Sequence, residues 1–226
     1  MDIPKGCKEC ICKNCGKVYT SNQNNVRFSQ PEFEYKMIRM NDLYNLCPVD
    51  IQSTVFVLDW DGTMMVRRHE LWYAGTMAMQ PNQNSEDMVF IENVQPLARH
   101  ATIAPVIVIT RRNGDGIIEV KQQLDKMNIK NAIVLSSRDS KGDARSKGEV
   151  LVEYWKTAKF NNKPKTVIFA DDEIDNRKNV AGVASELDIE KLIIADVSLL
   201  RDFEEQIPQH IRLINTQNYV ESMFNK

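Results

Sequence analysis

Five short apolar runs punctuate the chain: Thr54-Val55-Phe56-Val57-Leu58, Pro105-Val106-Ile107-Val108-Ile109, Ala132-Ile133-Val134-Leu135, Lys165-Thr166-Val167-Ile168-Phe169-Ala170 and Leu192-Ile193-Ile194-Ala195. None alternates with polar residues, the pattern of strands covered on both faces. Between them apolar positions recur at helical spacing. Val94, Leu97 and Ala101 give one stripe, Ile117, Val120, Leu124 and Met127 a second, and Val150, Leu151, Tyr154 and Trp155 a third. A further helix is expected after the fourth run, to about Leu187. Strands alternating with helices predict an α/β fold, a Rossmann-like doubly wound parallel sheet of five strands. From Ser198 onward the pattern suggests one more helix and an extended tail containing Ile211-Arg212-Leu213-Ile214.

Two stretches fall outside this alternation. Residues 1–48 are rich in Cys, Asn, Gln and Lys without sustained periodicity, and read as an irregular Cys-rich arm ahead of a domain spanning 49–226. Residues 64–91, with Arg67, Arg68, Trp72, Tyr73 and a turn-prone Gln80-Pro81-Asn82-Gln83-Asn84, form an insertion longer than ordinary connections and too short for a domain of its own.

Composition narrows the function classes. With 29 Lys and Arg against 31 Asp and Glu the formal net charge is -2, so no global field draws the 226-residue chain to nucleic acid or anionic membrane. No apolar run approaches the roughly twenty residues that span a bilayer, and the first residues lack a signal peptide's apolar core, so a cytoplasmic protein is expected. Export without such a signal, as for a secreted effector, is compatible with this reading. Four of the five cysteines, Cys7, Cys10, Cys12 and Cys15, make C-x2-C-x-C-x2-C inside nine residues. Paired C-x2-C turns suit zinc, whereas so little chain between the halves disfavours one tetrahedral site. A zinc knuckle, with Cys47 as a distant ligand, and free thiols on an arm are both carried forward.

Chemistry concentrates where the strands end. The first run stops in Asp59-Trp60-Asp61-Gly62-Thr63, the second in Thr110-Arg111-Arg112 and the fourth in Asp171-Asp172-Glu173-Ile174-Asp175-Asn176, while Lys147 opens a helix. Right-handed crossovers put the carboxyl ends of parallel strands along one edge, where open α/β sheets bind ligands. One strand ending in Asp is ordinary turn chemistry. Carboxylates, a hydroxyl, a lysine and carboxylates in that order are a constellation.

In these four motifs the chain, from residue 54 to about 195, resembles the haloacid dehalogenase (HAD) superfamily of phosphotransferases. The resemblance implies phosphomonoester hydrolysis through an aspartyl phosphate. Asp59 would be the nucleophile, and Asp61 the acid that protonates the leaving oxygen and then the base that activates water. Thr110 would bond a phosphoryl oxygen, and Lys147 would neutralise nucleophile and phosphate. Gly62, Arg111 and Trp60 are the candidate phosphate- and substrate-binding residues. A carboxylate attacking a dianion needs positive charge beside it, and hard oxygen ligands select Mg2+. By resemblance its ligands are the Asp59 side chain, the Asp61 backbone carbonyl and one acid of the last motif: Asp171 with Asp175 fits one variant of the family pattern and Asp172 with Asn176 another, the second being preferred, with Asp171 as the neighbour of Asp172. Because Asp61 must carry a proton in the first step, turnover is expected to be best slightly below neutral pH.

The stretch 64–91 looks like a minimal cap, so the resemblance is to capless members, which act on phosphoproteins or nucleic-acid ends. Aromatic residues and arginines near the site fit a phosphotyrosine peptide, as in the capless phosphotyrosine phosphatases of bacterial pathogens. A phosphorylated protein is therefore the expected substrate. A polynucleotide end, disfavoured by the near-neutral charge, and a non-enzymatic adaptor working through the Cys-rich arm are the alternatives.

Overall fold

Six parallel strands form the central sheet of the computed structural model, which describes residues 9–11, 18–20, 30–48, 50–67, 88–91, 94–199 and 201–202. The strands, numbered along the chain, are β1 (Glu9–Ile11), β2 (Val18–Thr20), β3 (Glu32–Met37), β4 (Thr54–Leu58), β5 (Met65–Arg67), β6 (Met88–Phe90), β7 (Val106–Thr110), β8 (Ile133–Ser136), β9 (Thr166–Asp171) and β10 (Lys191–Asp196). The helices are α1 (Gln95–His100), α2 (Asp115–Lys126), α3 (Lys147–Thr157) and α4 (Ile174–Gly182). The large sheet runs β3-β10-β9-β4-β7-β8 with every neighbouring pair parallel. This is the doubly wound α/β architecture expected from the apolar runs.

The parity of side chains along β4 builds the two layers. Phe56 and Leu58 enter one core with Leu97 of α1 and Val120 and Leu124 of α2. Val55 and Val57 enter the other with Val150 and Leu151 of α3 and Val180 of α4. All five residues of β4 are buried, as are those of β7 and β9, and each large apolar side chain so placed contributes about 1.5–3 kcal/mol. A one-residue slip would exchange the two faces, so burial fixes the register and with it the strand ends.

The sheet has one strand more than the five expected. β3, Glu-Phe-Glu-Tyr-Lys-Met, lies beside β10 with Glu32 opposite Lys191 and Met37 opposite Asp196. It is an edge strand and mostly exposed, so it carries none of the continuous apolar character of its neighbours. β1 and β2 pair antiparallel, as do β5 and β6, which close the base of the insertion at Met65 opposite Phe90. Cys10 lies on the backbone of β1. Cys7, Cys12 and Cys15, like Arg68, Trp72, Tyr73 and the tail containing 211–214, lie outside the described residues. Cys47 is a free thiol, half-buried, and burial pushes it above its ordinary pKa. No described helix is long and apolar enough to cross a membrane.

Candidate active site

The carboxyl ends of β4, β7 and β9 converge on one edge, with the first residue of α3 against them. Asp59, one residue past β4, is held by its amide, which donates to the Ala170 carbonyl at 2.9 Å. Asp171 ends β9 and is wholly buried. Lys147 comes in from α3, whose start is fixed by a capping box: Ser146 Oγ accepts from the Glu149 amide, and Glu149 accepts from the Ser146 amide. Its Nζ lies 2.5 Å from Asp59 Oδ1 and 2.7 Å from Asp171 Oδ2, at 2% side-chain exposure.

One ammonium thus bonds two carboxylates, with a third, Asp172, beside them. Single ligand atoms of Asp59, Asp171 and Asp172 all lie within 4.8 Å of one another. Burial and, after it, the charge of Asp171 push Asp172 above the ordinary carboxylate range. Burial pushes Asp59 up as well, with Asp171 acting in the same sense and Lys147 opposing both. Burial alone would lower Lys147, but Asp59 and Asp171 together carry it above its usual value, so it stays an ammonium. The surplus negative charge and the all-oxygen donor set fit a hard divalent cation.

Asp171 and Asp172 are adjacent in sequence and differently engaged. Asp171 Oδ1 accepts from the Glu173 amide at 2.8 Å and Asn176 Nδ2 at 3.1 Å, and its Oδ2 accepts from Lys147, so its oxygens are committed to the protein. Asp172 takes a long 3.5 Å contact from Thr63 Oγ1 and packs on Gly62. Gly62 has φ +85, and a Cβ there would lie 2.7 Å from Asp172 Cγ, so both backbone conformation and space exclude a side chain. Gly62→Ala is therefore expected to displace the Asp172 carboxylate and destabilise the fold by about 1–2 kcal/mol through the left-handed conformation alone. Thermal unfolding with and without Mg2+ checks this: the midpoint should fall, and any Mg2+-dependent rise should shrink.

Asp61 is set apart from this cluster. Its side chain is 46% exposed and is gripped by Arg112, with Nη2 at 2.7 Å from Oδ1 and Nε at 3.1 Å from Oδ2. Arg112 is braced in turn by Glu119 of α2 at 2.7 Å. Thr110, buried at the end of β7, contacts Asp61 Oδ2 at 3.5 Å and accepts the Arg112 amide at 3.2 Å. Arg112 as the residue fixing Asp61 was not assigned from the sequence. The Thr110-Arg111-Arg112 end of the second run was the available signal, but which of Arg111 and Arg112 turns to Asp61 depends on the loop after β7. Arg111 instead forms an exposed two-pronged pair with Glu173, at 2.9 and 2.6 Å.

Trp60 corrects an expectation. It is wholly buried in the core beside Phe56 and Leu58, and so does not stack on a ligand. The alternation of β4 carries past its end and turns Trp60 inward. Of the residues named from the sequence, the structure brings together Asp59, Lys147, Asp171 and Asp172, with Gly62 beneath Asp172, and sets Asp61 with Thr110 and Arg112 beside them.

No family model and no curated protein matches the chain. Among solved structures it is similar to the HAD domain of the effector protein Lem4 from Legionella pneumophila, at 13% identity over 73% of this chain and 98% of that one, with a TM-score of 0.44. An inactive mutant of the same domain aligns at 14% identity over 74% and 98%, with a TM-score of 0.45.

Proposed function

We propose that the chain is a Mg2+-dependent phosphomonoester hydrolase that acts through an aspartyl phosphate on Asp59, with a phosphorylated protein as substrate and phosphotyrosine preferred over phosphoserine. The observation that carries this reading is the Asp59 carboxylate held at 2.5 Å from a buried Lys147 ammonium, with two further carboxylates in reach of one cation. Asp59 and Asp172 are the side chains that would hold Mg2+, with the Asp61 backbone carbonyl as a further ligand and Asp171 beside them anchoring Lys147; when bound, it would offset the repulsion between a carboxylate nucleophile and a phosphate dianion.

In the first step an Asp59 oxygen attacks phosphorus, the bond to the leaving oxygen breaks, and Asp61 gives that oxygen its proton. In the second, Asp61 takes a proton from water, the water oxygen attacks phosphorus, and the bond to Asp59 breaks, releasing inorganic phosphate. Lys147 balances charge on Asp59 throughout. Thr110 donates to a phosphoryl oxygen, and Arg112 positions Asp61. An insertion at 64–91 that is too short for a domain of its own would leave room for a protein-borne phosphate. The Cys-rich arm, with Cys7, Cys10, Cys12 and Cys15 as candidate zinc ligands, is proposed as a separate unit outside this chemistry.

Initial rates with para-nitrophenyl phosphate, a phosphotyrosine peptide and a phosphoserine peptide, each in Mg2+ and in chelator, test the reading. Cleavage should require Mg2+, and phosphotyrosine should exceed phosphoserine. Asp61→Asn should cost on the order of 10^2–10^4-fold with the phosphoserine peptide, whose alkoxide leaves poorly, and much less with para-nitrophenyl phosphate. Folded protein that cleaves none of the three in Mg2+ would remove the hydrolase reading and favour the adaptor.

A further inference from the structure

The geometry of the β3 edge points to a symmetric dimer in which two copies of this chain pair β3 with β3 antiparallel about Tyr35, joining their sheets into one of twelve strands. Among the described strands β3 is bonded to β10 alone, through the Glu32 amide to the Glu190 carbonyl at 2.8 Å and the Ile38 amide to the Asp196 carbonyl at 3.1 Å. In a parallel ladder both polar groups of a residue face the same neighbour, so even-numbered residues are committed to β10. The amides and carbonyls of Phe33, Tyr35 and Met37 therefore point off the edge, where no described strand takes them.

Only one kind of register satisfies them. In an antiparallel pair, outward-facing residues of one strand must lie opposite outward-facing residues of the other. Centring the two-fold on Tyr35 engages all three: Tyr35 meets Tyr35 of the second copy, and Phe33 meets Met37 in both directions. A two-fold axis normal to the sheet keeps these side chains on one face. There Phe33, Tyr35 and Met37, exposed at 53%, 49% and 66%, would merge with their counterparts into one covered apolar strip. The same register puts Glu34 opposite Lys36 twice, at the close non-hydrogen-bonded positions.

Charge is what makes a second copy the fitting occupant. A strand protected against edge pairing places like charges where self-pairing would bring them together. Here the self-pairing register brings opposite charges together, and Glu34 and Lys36 already make a 2.6 Å pair within one copy. The interface is self-complementary, as closed two-fold symmetry requires. It lies at the far edge of the sheet from β8 and leaves Asp59, at the end of β4 three strands away, and Lys147 against it untouched.

Light scattering coupled to size-exclusion chromatography of the full chain tests this. Wild type is expected at twice the chain mass. Glu34→Lys alone and Lys36→Glu alone each create two like-charge pairs across the two-fold and should raise the dimer dissociation constant about tenfold or more. An equimolar mixture of the two variants should recover the dimer, because each strand then meets opposite charge. Mixing does not repair a pair within one copy, so recovery separates the interface from local stability; far-ultraviolet circular dichroism confirms that both variants are folded. A monomeric wild type, single variants with unchanged mass, or a mixture that stays monomeric would each overturn the proposal. A wild-type monomer that instead binds an extended peptide along β3 would assign the edge to a peptide partner.

Discussion

Asp59→Asn is expected to lower phosphoester hydrolysis by about 10^4-fold or more while leaving the protein folded, the largest activity change of any single substitution in this chain. The magnitude follows from the role: loss of a covalent nucleophile removes the whole stepwise route, and residual rates reflect only binding and charge. The fold should tolerate it because asparagine keeps the shape and one oxygen. Burial already disfavours the charged form of Asp59, opposed by Lys147, so a neutral side chain there relieves charge rather than adding it. In chelator the variant should therefore melt no lower than wild type. Measuring the melting curve and the rate on one preparation separates the two effects. Equal rates for the variant and wild type would exclude Asp59 as nucleophile, whereas a variant that unfolds would show that the Lys147 pair, rather than chemistry, is its main role.

The parts of this molecule that were legible in the sequence are those that buried parallel strands impose. β4, β7 and β9 are apolar on both faces, so Thr54–Leu58, Val106–Thr110 and Thr166–Asp171 stand out as unbroken runs. Parallel packing then fixes where they end, and so puts Asp59, Thr110 and Asp171 on one edge without any knowledge of the loops. β3 escaped because an edge strand is covered on one side at most. Its Glu-Phe-Glu-Tyr-Lys-Met alternation is real, but brief, and its partner β10 lies more than 150 residues away, at Lys191 for Glu32. The contacts decided by loop conformation were equally hidden. Arg112 reaches Asp61 and Arg111 reaches Glu173 only because of the turn after β7. Gly62 was readable as a bend, but its close approach to Asp172 joins the loops after two different strands. Trp60 shows the opposite lesson: an aromatic residue between two acids invites a ligand-stacking role, while strand parity, carried one residue pair further, places it in the core.

Lys147→Met should be the most destabilising substitution at the site, costing about 3–5 kcal/mol, as expected when one partner of a buried ion pair is removed. Two carboxylates now within 2.7 Å of its Nζ would be left buried and facing each other, with Asp172 close by. Asp59, no longer held down by the ammonium, would gain in tendency to hold a proton. The sign of the pH dependence follows. Asp59 already has its folded-state value raised, so it contributes stability fully at acid pH that is lost as pH rises from the ordinary carboxylate range through the raised value. Removing the ammonium, the opposing influence, should steepen that loss. The variant should thus come nearest to wild-type stability at mildly acidic pH and fall furthest behind near neutrality, in chelator. Mg2+ should recover part of the difference in melting temperature, because a divalent ion among the same three carboxylates offsets the charge that Lys147 offset, yet it should not restore turnover, since the ammonium beside the attacked phosphate is still missing. Melting curves from acid to neutral pH, with and without Mg2+, read these outcomes. A pH-independent deficit that Mg2+ leaves unchanged would mean that Lys147 acts through the packing of its stem rather than through charge, and would detach the three carboxylates from any cation.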